Sequence, residues 1–314
     1  MKNRILFLFI FLNFFLIANN SKSAQEIKIV YKIDNSIITN IDLAKELNYL
    51  IALNNDLKKI NKAESIEIAK NSIIREIIKK NEIKKFLDLE NFDDQKLMNR
   101  VLANIYEKLN LNNLSEFENY LSSYGITADE VNEKMKIEVL WNQLIAERFN
   151  SQININEDEI RKKVKNESIN YKNVIEYDLS EIVFSAKNQQ EFETKKEKIL
   201  NAINEIGFKT AANKFSISET SKFGGSIGKV KKNQLSKKIR NEIDKISIGE
   251  FTKPINLGSG FLIIKINNKK IITEEFDENK IVNEIINLER KKQFENFSQI
   301  YFSKIKLNTQ INEF

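Results

Sequence analysis

Chemistry in this 314-residue chain has to come from carboxylates, hydroxyls, amides and lysines, because it contains no histidine and no cysteine. Those two absences remove whole mechanisms. No thiol nucleophile, no Ser-His-Asp triad and no His/Cys zinc centre can be assembled. A carboxylate-only metal site or a Ser/Lys dyad stays formally open, but no spacing in the chain supports either. Gly224-Gly225 is not followed by Gly-Lys-Ser/Thr, so the pair is read as turn chemistry and not as a phosphate cradle. Lys231-Lys232 is read as solvated surface. Neither a metal nor an organic cofactor is expected. Without cysteine there is also no disulfide framework, so packing must supply the stability.

The elements that could position such groups begin after residue 24. Lys2 and Arg4 precede an apolar run, Ile5 to Ala18, broken only by Asn13, and Ser21-Lys22-Ser23-Ala24 follows. A basic start, a short apolar run and small residues describe a secretory signal peptide. The run is shorter than the roughly 20 residues a bilayer span needs, so no stable membrane span is expected after cleavage. Cleavage after Ser23 fits the small-residue rule better than cleavage after Ala24. No lipobox cysteine is present. The expected location is the periplasm. Lys2, Arg4 and Lys22 account for three of the net +6, and the remaining 290 residues are therefore close to balanced. Lysine and glutamate are interspersed and form no basic face, so nucleic acid is not an expected partner.

Glycine usage divides the remainder. Seven of the eight glycines and the single proline, Pro254, lie between 207 and 260. A loop-rich α/β module is therefore expected inside a helical protein. Residues 27–38 read as strand, turn and strand, and Thr39 to Asp42 as a capping-box start. Helices are expected over about 41–51, 63–87, 93–109, 114–124 (closed by Gly125), 127–149 and 154–166. A last amphipathic helix covers about 277–303, and Lys304 to Leu307 is expected as a terminal strand. That last helix cannot hide its apolar stripe alone, so it should pack back on the N-terminal helices. Trp141 is expected as an interior anchor with a partner for its N–H. The module reads as a strand over 177–185, helices over 190–206 and 209–215, and a Gly-rich loop with a short strand over 223–230. A helix over 235–245 and strands over 251–255 and 261–267 complete it. The fold class is α+β: a mainly helical discontinuous domain with one inserted α/β domain.

Three stretches of the module resemble the parvulin-type (rotamase, PpiC-like) prolyl isomerases. Asp178 to Phe184 is similar to that family's opening strand. Phe208 to Ser216, followed by Ser221 to Gly228, matches its F..A...FS and GG.LG helix and loop. Ile248 to Ile255, then Gly258 to Lys265, matches its closing GE.S.P and G.H..K segment. The N-terminal strand-turn-strand, the Tyr120-to-Phe149 run and the returning C-terminal helix resemble SurA-type periplasmic chaperones, with 54–113 the weakest part. With residues 1–24 read as signal peptide, the resemblance implies 25–170 as a helical N-terminal domain. It further implies 174–270 as the parvulin-like domain and 275–314 as a C-terminal helix and strand packed on the first. Segments near 166–174 and 270–277 are the candidate hinges.

The departures from the family pattern concern its pocket. Histidines are normal where Glu181 and Leu262 stand, and the Cys/Asp position falls near Ser218. Glu181, Ser218 and Leu262 are therefore the candidates for a degenerate polar site. Phe215, Leu235, Ile239, Leu257 and Phe261 are the candidates for peptide binding. Prolyl isomerisation makes no covalent bond and needs only a preference for the twisted amide, against a barrier of ~18–20 kcal/mol. Loss of both histidines leaves few preorganised polar groups for that preference. The expected function is ATP-independent chaperoning of unfolded exported polypeptides, outer-membrane β-barrel precursors among them. The alternatives are an active isomerase and a scaffold that binds one partner. No feature of the sequence sets an oligomeric state.

Overall fold

The computed structural model describes residues 26–166, 173–258, 260–273 and 277–314. The expected signal peptide lies outside these residues, as do 167–172 of the first candidate hinge and 274–276 of the second. Two antiparallel sheets organise the rest. β1 (Ile29–Ile33) and β2 (Ser36–Thr39) form a hairpin turned at Asp34, whose φ is 48°. β7 (Ile311–Glu313) pairs with β1 on its other side, giving the order β2-β1-β7. The second sheet runs β4-β3-β6-β5, with β3 (Asn173–Phe184) and β6 (Phe261–Thr273) as its long central pair. β4 (Ser226–Lys231) and the two-residue β5 (Ile255–Asn256) are its edges.

Helix starts follow side-chain caps. Thr39 accepts from the Asp42 N–H and opens α1 (Asn40–Leu53), with Asp42 returning to the Thr39 N–H. Thr127 and Glu130 repeat that capping box at α5 (Ala128–Phe149). Asn61, Asp94 and Asn113 cap α2 (Lys62–Ile83), α3 (Gln95–Lys108) and α4 (Leu114–Ser122). α6 spans Glu157–Asn166. In the module, α7 (Gln189–Ile206) and α8 (Phe208–Phe215) lie on one face of the β3/β6 sheet, while α9 (Lys237–Ile243) lies on the other.

α10 (Glu278–Leu307) does pack back on the helical body. Its Tyr301, Phe297 and Phe294 join Trp141, Leu140 and Leu144 of α5 in one cluster. Trp141 is fully buried, and its Nε1–H donates to Ser298 Oγ at 2.8 Å. Such burial costs little only because the indole N–H finds that partner.

Two expected strands are different in the structure. Lys304 to Leu307 is the last turn of α10, where Ile305 packs beside Phe302; the terminal strand comes later, at 311–313. Alternating lysine and aliphatic residues imitate a strand there, but the 3.6-residue stripe continues to Ile305 and holds the helix. Of the strand expected over 251–255, Phe251 makes an isolated bridge to Lys265 and only Ile255 belongs to β5. Thr252 still docks on β6, because its N–H donates to the Ile264 carbonyl and its Oγ1 accepts from the Ile264 N–H. Pro254 has no N–H to extend that ladder.

Candidate functional site

The β3/β6 sheet sorts the candidate residues by face. Along β3, Leu179, Glu181 and Val183 point one way and Ile182 and Phe184 the other, as strand alternation requires. Val183 pairs with Leu262 across to β6, so Leu262 shares the face of Glu181. Leu262 is buried there with Leu179, Ile243 and Ile264, and half-buried Leu235, Ile239 and Leu257 pack on them. Phe215 and Phe261 pack instead with Ile182, Phe184 and helices α7 and α8. Three of the five expected peptide-binding residues therefore assemble beside Leu262, and two lie on the opposite layer.

Glu181 meets a hydroxyl cluster that the loop after α8 supplies. Ser216 anchors that loop: its Oγ accepts from the Val183 N–H at 3.0 Å, and the Ile217 N–H donates to the Val183 carbonyl at 2.8 Å. Ser218 Oγ then donates to Glu181 Oε1 at 2.7 Å, and Thr220 Oγ1 reaches the same oxygen at 3.0 Å. Gly225 closes the loop at φ 78°, with its carbonyl accepting from the Glu181 N–H at 2.8 Å. A Cβ at Gly225 would run into the Glu181 carbonyl, so the close approach and the positive φ both require glycine there. Burial pushes the Glu181 carboxyl above the usual range, and the Ser218 and Thr220 hydroxyls pull partly against it. The cluster can hold or accept a proton and can orient a hydroxyl. It has no imidazole, and the charge of Lys291 acts on Glu181 only as a minor influence. Thr220 was not among the expected site residues; its two-residue spacing from Ser218 is the only local signal.

The same loop is pinned to the helical body by ions that sequence reading did not single out. Lys79 of α2 is 1% exposed and bonds both Glu138 of α5, at 2.6 Å, and Glu219 of the loop. Lys222, 5% exposed, bonds the other Glu138 oxygen at 2.6 Å. Burial opposes ionisation of Glu138, yet Lys222 and Lys79 outweigh it and hold that carboxyl well below the usual range. Burial and the neighbouring Glu138 push Glu219 up, so Glu219 is the member that protonates first. Arg75 donates to Ser221 Oγ and to the Ser216 carbonyl, both at 3.2 Å, and Asn54 donates to Asn213 Oδ1 at 2.6 Å.

Between body and module lies a cleft of about 1050 Å³. Ser218, Thr220 and Phe215 line it from the module, and Arg75, Phe294 and Phe302 from the body. Among the described residues no group of acidic side chains is arranged to hold a metal ion. No helix among them is long and apolar enough to cross a membrane.

Residues 175–268 match the family model described as the rotamase, PPIC-type PPIase domain. Chaperone SurA of Hahella chejuensis is 26% identical over 180 residues, covering 55% of this chain and 41% of its own. Chaperone SurA of Idiomarina loihiensis is 24% identical over 266 residues, 80% of this chain and 60% of its own. The chain thus spans less than two thirds of the length of these curated relatives. A SurA-like chaperone of Campylobacter jejuni of known structure is 16% identical, covering 91% of this chain and 98% of its own, at a TM-score of 0.35. Residues 175–268 thus match a PPIC-type rotamase domain, set in a chain that is similar to the SurA chaperones.

Proposed function

We propose that the protein is an ATP-independent chaperone that holds unfolded exported polypeptides in the periplasm, outer-membrane β-barrel precursors among them. The observation that carries this reading is the cleft of about 1050 Å³ between helical body and rotamase domain, where half-buried Phe215, Phe294 and Phe302 face a space long enough for several residues. An unfolded barrel strand alternates apolar and polar side chains, and such a cleft offers aromatic contact to one set and polar groups to the other. The domain division at 25–170, 174–270 and 275–314 belongs to the same proposal, as does cleavage near Ser23 or Ala24. Delayed aggregation of an unfolded β-barrel client at stoichiometric ratio is the expected result. Unchanged aggregation would remove the reading.

A second reading, an active prolyl isomerase, is favoured by the Glu181–Ser218–Thr220 cluster next to the apolar Leu235, Ile239, Leu257 and Leu262 set. Hydroxyls held by a carboxylate can hydrogen-bond a twisted amide, and an apolar recess can seat a proline ring. Exchange measurements on a short Xaa-Pro peptide decide it, with the Glu181→His/Leu262→His double variant run alongside. A rate at background in the native chain leaves the rotamase domain as a binding module. A clear rate means that amide twisting here does not need imidazole.

A further inference from the structure

We propose that the cationic wall of the cleft is a subsite for acidic side chains of an extended polypeptide. The proposal rests on the chaperone reading and specifies the kind of segment that the cleft prefers.

Three elements bring the cations together: Arg75 from α2, Lys195 from α7 and Lys306 from α10 all line the cleft. Their carboxylate supply is short. Glu191 pairs with Lys195 at 2.8 Å, and Lys195 also donates to the Ser185 carbonyl at 2.8 Å. Among the described residues Arg75 is hydrogen-bonded only to neutral oxygens, Ser221 Oγ and the Ser216 carbonyl. The Lys306 ammonium makes neither a hydrogen bond nor an ion pair among the described residues. Lys306 is exposed near the end of α10, and it lines the mouth of the cleft between the two bodies. Partial desolvation there, together with the charges of Arg75 and Lys195, pushes its pKa below the usual lysine value. Glu219 and Glu295 also line the cleft but are bonded to Lys79 and Lys291, so of these three cations only Lys195 has a bonded carboxylate. Like charges held this close repel, and an arriving anion relieves that repulsion as well as forming its own bonds.

The shape selects among anions. A membrane surface is flat and cannot enter a hollow between two bodies. A single terminal carboxylate would neutralise only one of the two cations without a bonded carboxylate. An extended segment carrying more than one Asp or Glu meets both, and half-buried Phe215, Phe294 and Phe302 in the same cleft accept its apolar neighbours. The occupant is therefore an acidic stretch of client chain with aromatic or aliphatic residues beside the acids.

The test is a calorimetric titration of the purified chain with two unstructured peptides of equal length and identical aromatic content, one carrying glutamates where the other carries glutamines. At low ionic strength the glutamate peptide should bind roughly tenfold tighter, and added salt should erase the difference. Lys306→Gln, which breaks no bond in the structure, should shrink that preference, and Lys306→Glu should abolish it. Circular dichroism checks that both variants fold. Equal affinity for the two peptides in the native chain overturns the subsite while leaving the chaperone reading intact. Binding of neither peptide, with no delay of client aggregation, overturns both. Tight binding of phosphatidylglycerol vesicles that Lys306→Glu weakens, without any preference between peptides, assigns the cations to a lipid surface and overturns the polypeptide occupant.

Discussion

The interior of each body and the seam between them are built from different materials. Inside the helical body, Trp141, Leu140, Leu144, Phe297 and Tyr301 pack as an apolar stack, and Phe149 lies flat on Phe297 at 4.8 Å between ring centroids. Inside the rotamase domain, Ile182, Phe184, Ile199 and Ile263 do the same under α7 and α8. The seam is charged: Lys79, Glu138, Lys222 and Glu219 in one ladder, Lys214 to Glu64 at 2.7 Å, and Lys231 to Glu284 at 3.3 Å. Phe223, which packs on the Leu57 and Phe117 cluster, adds an apolar contact. Apolar burial resists salt and moderate acid. A charged seam responds to both. The bodies are therefore built to persist and the seam to be adjustable.

The largest effect should come from within a body. Trp141→Ala removes the interior anchor and its bond to Ser298, and should cost about 3–5 kcal/mol in urea unfolding followed by circular dichroism, unchanged by added salt. A loss that depends on salt would break the contrast between body and seam. Next comes Glu138→Gln, which leaves Lys79 and Lys222 buried with Glu219 as their remaining acid. Breaking a buried pair from one side costs about 3 kcal/mol or more, reduced here because Glu219 can then ionise fully. The accompanying signature is a wider particle in small-angle scattering as the rotamase domain swings away. An unchanged scattering curve would mean that other contacts suffice to dock it.

Acid should act on the same ladder. Glu138 has its folded pKa below the unfolded value of 4.5, so its contribution is present above that pH and is lost as pH falls toward the folded pKa. Glu219 and Glu181, both raised, have the opposite sign: their contribution is full below the unfolded value and declines as pH rises through the folded one. The native chain should therefore loosen at the seam below pH 4.5, read as faster proteolysis between body and module, and Glu138→Gln should lack that acid step. Glu181→Gln should stabilise the rotamase domain at neutral pH, by no more than about 1 kcal/mol, because the amide keeps a hydroxyl partner and escapes the cost of a buried charge. Destabilisation instead would show that the carboxylate is needed to order the Ser218 loop.

Much of this architecture is legible in the residues because local rules and the tertiary fold agree. Thr39 with Asp42 and Thr127 with Glu130 mark helix starts by the bonds they later make. The seven glycines between 207 and 260 mark the inserted module. What stays hidden depends on distance in sequence. The strand at 311–313 is three residues long and has meaning only beside β1. Lys79, in a helix where lysine and glutamate alternate, shows nothing locally of the Glu138 and Glu219 that meet it 59 and 140 residues away. Of the site, the Glu181–Ser218 contact is foreshadowed by the family pattern. The division of Phe215 and Phe261 from Leu235, Ile239 and Leu257 depends on which face of β3 each helix covers, and no spacing encodes that.

The small sheet carries a consequence for the order of assembly. β1 lies between β2 and β7, and the Tyr31 hydroxyl donates to Glu313 at 2.9 Å across 282 residues. The rotamase domain is contiguous and can close as soon as its last strand is available. The helical body cannot, since its first strand waits for the last one. A chain made or threaded through a membrane from its N-terminus therefore completes its inserted domain while the surrounding body is still open. The aromatic face of α5 then stays uncovered until α10 arrives, and the pairing of β1 with β7 comes after the rotamase domain has closed.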